Sequence, residues 1–186
     1  MTRHTFLILS ALLCLNIQVL TAQRAKFDIG VGVGVIPTFL KDQGKTLTPP
    51  ISASLDVLVN NHFSIGFAIG ASDTEARTSY GPEGKILHWK NSYSWMGVRL
   101  LAHTNRLDRW DIYGGFSLGY GISRLRMLEG NWDDLAAHKR LKPVSGDLAL
   151  TATVGARHQI YGSWWAFGEL GLGASLLTAG ISWRIK

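Results

Sequence analysis

The sequence contains little cysteine, little charge and no long apolar run. Cys14 is the only cysteine among 186 residues, so a disulfide framework is excluded. Charged residues make up 17% of the chain, and a net charge of +6 is too small to indicate nucleic-acid binding. Glycine and tryptophan are frequent instead, with 21 and 7 residues. Low charge combined with abundant glycine and tryptophan favours a protein that faces lipid.

Residues 1–22 have the pattern of a cleaved secretory signal peptide. A short basic head at residues 2–4 precedes an apolar run at residues 6–15, and small residues end the segment at Ala22. The alternative is an N-terminal membrane anchor, but a run of about ten residues is shorter than the roughly 20 that a spanning helix needs. We therefore predict export with cleavage after Ala22, which leaves one mature domain over residues 23–186.

Beyond the signal peptide, apolar side chains recur at every second position. This period predicts β-strands with two different faces. In the first segment, residues 26–36, glycine and Asp28 alternate with Phe27, Ile29, Val31, Val33 and Val35. The same pattern predicts seven further strands at 51–59, 63–71, about 96–103, 110–122, 148–156, 164–174 and 179–185.

The connections between these segments alternate in length. Long connections are predicted at 37–50, 73–92 and 124–146, and short ones at 60–62, 104–109 and 160–163; the last outer loop, 175–178, is brief. Long loops at one rim and short turns at the other are typical of outer-membrane barrels, with both chain ends at the short-turn, periplasmic rim. We therefore predict an all-β fold: an eight-stranded antiparallel up-and-down transmembrane β-barrel. Its eighth strand pairs with its first, because an open edge in lipid leaves backbone groups unpaired.

The two faces of the strands differ in a way that favours a membrane. None of the residues in the apolar series is charged, as expected where a mid-membrane charge costs roughly 2 to 4 kcal/mol. The other face carries mostly Gly, Ser, Thr and Ala, which suits a narrow interior better than a solvated surface. Outward aromatic residues gather near the short-turn rim and predict a periplasmic aromatic girdle formed by Phe27, Phe63, Trp110, Trp164 and Trp183.

Ionisable residues on the inward face form the main candidate site. These are Asp28, Asp56, Arg99, Asp111, Arg157, Glu169 and Arg184. Three arginines among four carboxylates predict a paired interior polar network, because unpaired buried charges are costly. Such a network is a structural plug that fixes the strand register, or alternatively an ion path or gate.

The sequence patterns that could indicate catalytic or cofactor-binding residues are weaker. The repeated glycines of 30–34 lack the spacing of a dinucleotide-binding loop, and no helix follows them. Residue types for hydrolysis occur only in predicted loops, as Asp73, Ser79 and His88 in one and Asp133 and His138 in another. His103 and His158, at the strand ends, are candidate metal ligands. No strand holds these sets in place, so we predict no catalytic site, no metal site and no cofactor.

The predicted long loops are rich in cations. They contain Lys41, Lys45, Arg77, Lys85, Lys90, Arg124, Arg126, Lys139, Arg140 and Lys142. Two hypotheses fit this set equally: contact with lipopolysaccharide phosphates at the outer leaflet, or a solvated loop surface. The loops also offer a surface for an unknown protein partner.

Nearly all of residues 23–186 resemble a known family. The leader that ends in Thr21-Ala22-Gln23, the opening Phe27-Asp28-Ile29-Gly30-Val31-Gly32 and the closing strand 179–186 are similar to those of the small outer-membrane β-barrel family common in Bacteroidota, and more distantly of eight-stranded barrels like that of OmpA. The resemblance implies outer-membrane location and recognition of the last strand by the barrel-assembly machinery. That strand departs from the usual form because it ends in Ile185-Lys186 rather than in an aromatic residue.

The expected function is therefore that of a non-catalytic outer-membrane barrel. Its role is structural, adhesive or that of a narrow pore, with outer-membrane lipid and lipopolysaccharide around it. Two alternatives stay open: a periplasmic lipocalin-like carrier of apolar ligands, and an outer-membrane lipid-modifying enzyme.

Overall fold

A computed structural model describes residues 26–37, 44–81, 84–104, 108–139 and 142–185; the predicted signal peptide lies outside these ranges. Within them the strands are β1 (Lys26–Gly34), β2 (Lys45–Leu58), β3 (Phe63–Tyr80), β4 (Lys85–His103), β5 (Trp110–Glu129), β6 (Val144–Tyr161), β7 (Trp164–Gly171) and β8 (Leu177–Ile185). The helix α1 (Trp132–Lys139) lies between β5 and β6. No helix in the described part of the chain is long and apolar enough to cross a membrane.

The strands form a closed antiparallel ring. Each strand pairs with its neighbours in the chain, and β1 pairs with β8 from Phe27 opposite Ile185 to Gly34 opposite Thr178. The predicted eight-stranded up-and-down transmembrane barrel, including its closure between the last and first strands, is therefore confirmed. Closure leaves no unpaired edge, which is the condition for a sheet to lie in lipid.

The predicted alternation of faces sets which side chains line the lumen. Along β1 the buried residues are Asp28, Gly30, Gly32 and Gly34, and the valines between them are exposed. On β6, Leu148 and Leu150 are each 73% exposed. Such side chains encircle the ring and form the apolar band, which we define as the outward apolar residues between the short-turn ends of the strands and the row that contains Ala71 and Ile122. A band of this kind faces lipid.

The predicted loops at 73–92 and 124–146 were largely wrong. The β3–β4 ladder continues without a break to Tyr80 opposite Lys85, and β5 continues to Glu129 before α1 begins. The outward positions of these extensions change from apolar to charged residues, such as Glu75 and Arg124, while the backbone pairing continues. The alternation of apolar side chains therefore ends at the border of the apolar band, whereas the strands continue beyond it.

The extensions make the barrel wall uneven in height. Strands β3 to β6 have 18 to 20 residues, whereas β1, β7 and β8 have 8 or 9. The difference of about ten residues corresponds to roughly 30 Å along the strand direction. One side of the ring thus rises far above the apolar band at the long-loop end, and the other side stops near its border.

Glycines on the inward face make room for large lumen side chains. The ring of Trp95 lies across Gly97 and Gly119, and a Cβ added at Gly119 would lie 2.7 Å from the indole and 2.6 Å from the carbonyl oxygen of Met96. Tyr113 lies against Gly155 in the same way, with its ring 2.6 Å from an added Cβ. Trp95 and Tyr113 are both buried, so they fill the lumen that an eight-stranded ring encloses.

Replacing one of these glycines should therefore destabilise the barrel. Gly119→Ala forces backbone and indole apart and should lower the free energy of unfolding by about 1 to 3 kcal/mol. Gly168→Ala is the matched control, because an added Cβ there has no atom within 4 Å. Urea unfolding of the refolded protein in phospholipid vesicles, followed by tryptophan fluorescence, measures both. Equal unfolding midpoints for the two variants would contradict close packing of Trp95 on glycine.

Candidate functional site

The seven inward ionisable residues lie together in the half of the lumen nearest the short turns. They come from seven strands, β1, β2 and β4 to β8, and each lies within six residues of the short-turn end of its strand, where the period of two directs it inward. Five are buried, and the side chains of Glu169 and Arg184 are 17% and 14% exposed. We call these seven residues the polar plug. Their contacts divide it into two groups.

The first group is centred on Asp28 and is called the Asp28 cluster. The Oδ2 atom of Asp28 accepts hydrogen bonds from Arg184 Nε at 3.0 Å and Arg184 Nη2 at 2.8 Å, and another from Arg157 Nη1. Arg184 Nη2 also donates to Asp111 Oδ2 at 3.1 Å. The cluster thus joins β1, β5, β6 and β8 across the lumen. Each of its charges has an opposite charge beside it, as burial requires.

The second group is centred on Asp56 and is called the Asp56 cluster. Arg99 donates from Nε to Asp56 Oδ1 at 2.8 Å and from Nη2 to Asp56 Oδ2 at 2.9 Å, which is a bidentate pair. The same Nη2 donates to Glu169 Oε1 at 3.2 Å. These bonds connect β2, β4 and β7, so Arg99 spans the lumen and closes it between strands that do not pair.

Tyr113 connects the two clusters. Its hydroxyl donates to Glu169 Oε1 at 2.8 Å, and the guanidinium of Arg157 lies 4.3 Å from its ring centroid. The ring therefore forms a cation-π contact with one cluster and a hydrogen bond with the other. The sequence placed Tyr113 inside the barrel only as filling, and its role as a connector follows from the three-dimensional register.

A further hydrogen-bonded set extends the Asp28 cluster to β3. His103 Nδ1 lies 3.1 Å from Asp111 Oδ2, and His103 Nε2 lies 2.8 Å from Ser64 Oγ. The imidazole thus lies between a hydroxyl and a carboxylate, each within hydrogen-bond distance of one ring nitrogen. This set was not predicted from the sequence, in which His103 was only a candidate metal ligand. Ser64 and His103 both occupy inward positions directly beside short turns, and this pattern could have indicated that they lie together in the lumen.

This Ser64, His103 and Asp111 arrangement has the connectivity of a hydrolytic triad but lacks other requirements. Ser64 is 2% exposed, so a substrate carbonyl has no route to its hydroxyl. Asp111 also binds Arg184, which ties it into the plug. A nucleophilic serine needs both access and donors for the developing oxyanion. The set is therefore a structural hydrogen-bond relay.

Above the plug, towards the long-loop end, lies a small cavity lined by hydroxyl groups. Its volume is about 60 Å³, and Arg99 and Glu169 line it together with Ser52, Ser54, Ser117, Thr151 and Thr153. A water molecule needs roughly 10 to 15 Å³ of such space and two to four polar partners. The cavity therefore has room for a few water molecules and not for a sugar or a lipid chain.

At the long-loop end, α1 packs on the inward side of the strand extensions. Asn131 begins the helix, accepting the backbone N–H of Asp133 at 3.3 Å, and Gly130 makes the preceding turn with a φ of +93°. Leu135 on the helix is 0% exposed. It packs on inward residues of the strand extensions, namely Ala76, Leu87 and Trp89, with Leu125, Met127 and Trp132 at the edge. We call α1 and these residues the cap.

The structure does not join the other candidate catalytic and metal-binding residues into a site. Asp73 pairs with Lys90, and His88 lies 3.3 Å from Glu75, so neither approaches Ser79 as a triad requires. His158 packs on Trp110 with ring centroids 4.6 Å apart. The side chain of His138 lies outside the described residues. In the described ranges, no three His, Cys, Asp or Glu side chains are arranged to hold a metal ion.

The five aromatic residues of the predicted girdle all lie beside short turns. They are 38% to 56% exposed and point outward at strand ends: Phe27, Phe63, Trp110, Trp164 and Trp183. Trp164 and Trp183 stack with ring centroids 6.2 Å apart. These positions gather the outward aromatic rings near the short-turn end of the barrel, and their contact with a membrane interface stays a prediction.

Comparison with known proteins gives structural similarities only. No family model matches the sequence, and no curated protein matches it significantly. The attachment invasion locus protein Ail of Yersinia pestis is 11% identical, with a TM-score of 0.49 over 87% of this chain and 97% of Ail. The N-terminal β-barrel domain of Pseudomonas aeruginosa OprF is 9% identical, with a TM-score of 0.49 over 88% and 98%. A de novo designed transmembrane β-barrel is 10% identical, with a TM-score of 0.46 over 88% and 98%.

Removing the charge at the centre of the Asp56 cluster should be strongly destabilising. Arg99→Met leaves Asp56 and Glu169 in the lumen without their cation, and breaking a buried pair in this way costs about 3 to 5 kcal/mol. A triple variant, Asp56→Asn, Arg99→Met and Glu169→Gln, keeps the volume and removes all three charges. It should recover most of the lost free energy of unfolding in urea titrations. A triple variant no more stable than Arg99→Met would contradict this account of charge compensation.

Proposed function

We propose that the protein is a bacterial outer-membrane barrel with a closed lumen, and that its extracellular half forms a folded binding surface. The observation that carries this proposal is the combination of an apolar outer face with a lumen blocked by the polar plug. In this orientation the short turns face the periplasm, and the cap lies outside the cell. The role is structural or adhesive and does not involve catalysis.

Placement in a membrane is supported by the apolar band. The outward residues between the short-turn ends and the row that contains Ala71 and Ile122 are mostly apolar and exposed, and the ionisable residues of the polar plug point into the lumen. A soluble carrier needs the reverse arrangement, with an apolar lumen for its ligand. Here the lumen holds seven ionisable side chains and a cavity of only about 60 Å³, which argues against a lipocalin-like carrier.

The plug supports the proposal that the lumen is closed, and the cap supports the proposal of an extracellular binding surface. The plug connects nonadjacent strands across the lumen, and the cap adds a helix packed on the strand extensions at the long-loop end. The cap has its own cluster of buried apolar side chains above the lipid. A barrel does not need such a cluster in order to span a membrane. A surface that meets a partner explains this extra ordered structure.

The biogenesis of the barrel completes the proposal. Residues 1–22 act as a cleaved signal peptide, and β8, with Trp183 and Ile185 outward, is the strand read by the barrel-assembly machinery. The opening strand and this last strand also support membership of the small-barrel family common in Bacteroidota. N-terminal sequencing of the mature protein from membranes tests the cleavage site, and Gln23 is the expected first residue.

Charge placed on the apolar band should weaken insertion. Leu118 and Leu128 lie on the same strand with similar exposure, 54% and 49%, but Leu118 is in the band and Leu128 is on the extension. Leu118→Arg should lower stability in phospholipid vesicles by about 2 to 4 kcal/mol, and Leu128→Arg by far less. Urea titration, with heat-modifiable gel migration to follow folding, measures both. Equal effects would argue against membrane placement of this face.

The intact barrel should not conduct ions steadily. In planar bilayers we expect the wild-type protein to give no lasting channels, because Arg99 and its partners fill the lumen. The double variant Arg99→Ala and Glu169→Ala removes the cross-lumen contact and should give measurable currents. Steady wild-type channels that this change leaves unaltered would overturn the closed-lumen proposal.

A further inference from the structure

Outward residues just above the apolar band form a distinct surface on β3, β4 and β5. The last outward row of the band places Ser94 between Ala71 and Ile122. The next row places Ser92 between Asp73 and Arg124, and the row above it places Lys90 between Glu75 and Arg126. We call these two polar rows the rim face. The side chains change from apolar to charged within one step of the strand period.

The acids of this region already have partners. Lys90 Nζ lies 2.9 Å from Asp73 Oδ2, and His88 Nε2 lies 3.3 Å from Glu75 Oε2. Higher on the extension, Arg77 Nη2 lies 2.8 Å from Glu129 Oε2. Hydrogen bonds from Ser92 and Lys90 hold the pKa of Asp73 below its ordinary value, so this carboxylate stays ionised and keeps Lys90 occupied. The local carboxylates therefore leave two cations of the rim face unused.

These two cations are Arg124 and Arg126. Both are exposed, and within the described residues neither forms an ion pair. They occupy successive outward positions of β5, which are roughly 7 Å apart along a strand. Lys142, also exposed, lies two residues before Val144, the register partner of Arg124. The strand ladder thus fixes Arg124 and Arg126 one above the other on the same side of the wall, with Lys142 next to them in the chain segment that leads into β6.

The height of these residues indicates the partner. A residue one or two strand steps above the hydrocarbon border lies at the level of lipid headgroups, where phosphates are the main anions. Arginine binds phosphate through two parallel N–H donors, and such charge-assisted bonds are stronger near low-dielectric surroundings. Because the side chains project sideways from the wall, a headgroup in the same leaflet meets them more readily than a soluble protein above the cap does.

We propose that Arg124 and Arg126 form a binding site for the phosphate groups of outer-leaflet glycolipid, of the lipid A type. The inference rests on the proposed outer-membrane location and assigns a lipid ligand to one side of the wall. Lys142 adds a third positive charge to the same site. Lys90 stays outside it because Asp73 holds its ammonium group.

The test uses the full mature chain refolded in nanodiscs. The probes are a bis-phosphorylated lipid A and the same lipid after enzymatic removal of both phosphates, and native mass spectrometry counts the lipids retained. Arg124→Gln with Arg126→Gln should reduce retention of the phosphorylated lipid about tenfold or more, because each arginine supplies charge-assisted hydrogen bonds to phosphate that glutamine cannot replace. Retention of the dephosphorylated lipid should not change. Arg124→Lys with Arg126→Lys should recover part of the binding.

A matched control removes the same amount of charge elsewhere. Lys26→Gln with Arg109→Gln alters two cations at the short-turn rim and should leave retention unchanged. Asp73→Asn releases Lys90 and should strengthen binding of the phosphorylated lipid. Equal losses in the rim-face and short-turn variants would overturn the proposal, because attraction would then follow net charge alone. So would retention of phosphorylated lipid unaffected by Arg124→Gln with Arg126→Gln.

Failure of the underlying proposal looks different. If the wild-type chain folds but does not enter phospholipid vesicles, or if Leu118→Arg inserts as well as wild type, the outer-membrane function fails whatever lipid binds. Normal insertion of all variants, without a phosphate preference in the wild type, rejects only the rim-face site.

Discussion

The lumen of an eight-stranded ring is too narrow for bulk water, and this constraint determines the rest of the interior. Every charge that points inward must find its counterion among the other inward side chains. Four carboxylates meet three guanidiniums in the polar plug, and the imidazole of His103 gives Asp111 a further partner. Each guanidinium contacts two acids or an acid and an aromatic ring. The plug is therefore a compensated set rather than a row of separate ion pairs.

Compensation across the lumen also fixes the register of strands that never pair. Arg99 on β4 holds residues of β2 and β7, and Arg157 on β6 holds Asp28 on β1. A slip of one residue in any of these strands would turn a charge into lipid, where it costs several kcal/mol. The plug thus favours the correct strand register over registers shifted by one residue. The same requirement accounts for glycine beside Trp95 and Tyr113, because rings that cross a narrow lumen must lie flat against backbone.

The sequence predicted the parts that depend on local period and could not predict those that depend on contacts across the ring. Alternation along 26–36 predicted the inward position of Asp28, and the cost of an open sheet edge in lipid predicted the closure of the barrel. It did not give the partner of Asp28, because Arg157 is 129 residues away and its position follows from the accumulated register of six strands. The extension of β5 was missed because Arg124 interrupts the apolar pattern without interrupting the backbone ladder. The cap was missed because α1 has only eight residues.

The uneven wall gives the two sides of the barrel different surroundings. On the side of β7, β8 and β1 the strands end near the border of the apolar band, and exposed Leu172 and Leu176 occupy the connection there. Lipid chains can reach the top of the ring on this side. On the side of β3, β4 and β5 the wall rises through the headgroup level, so its outward side chains must suit anions and water. Charged residues above the band are therefore expected on the high wall alone, which is where Arg124 and Arg126 lie.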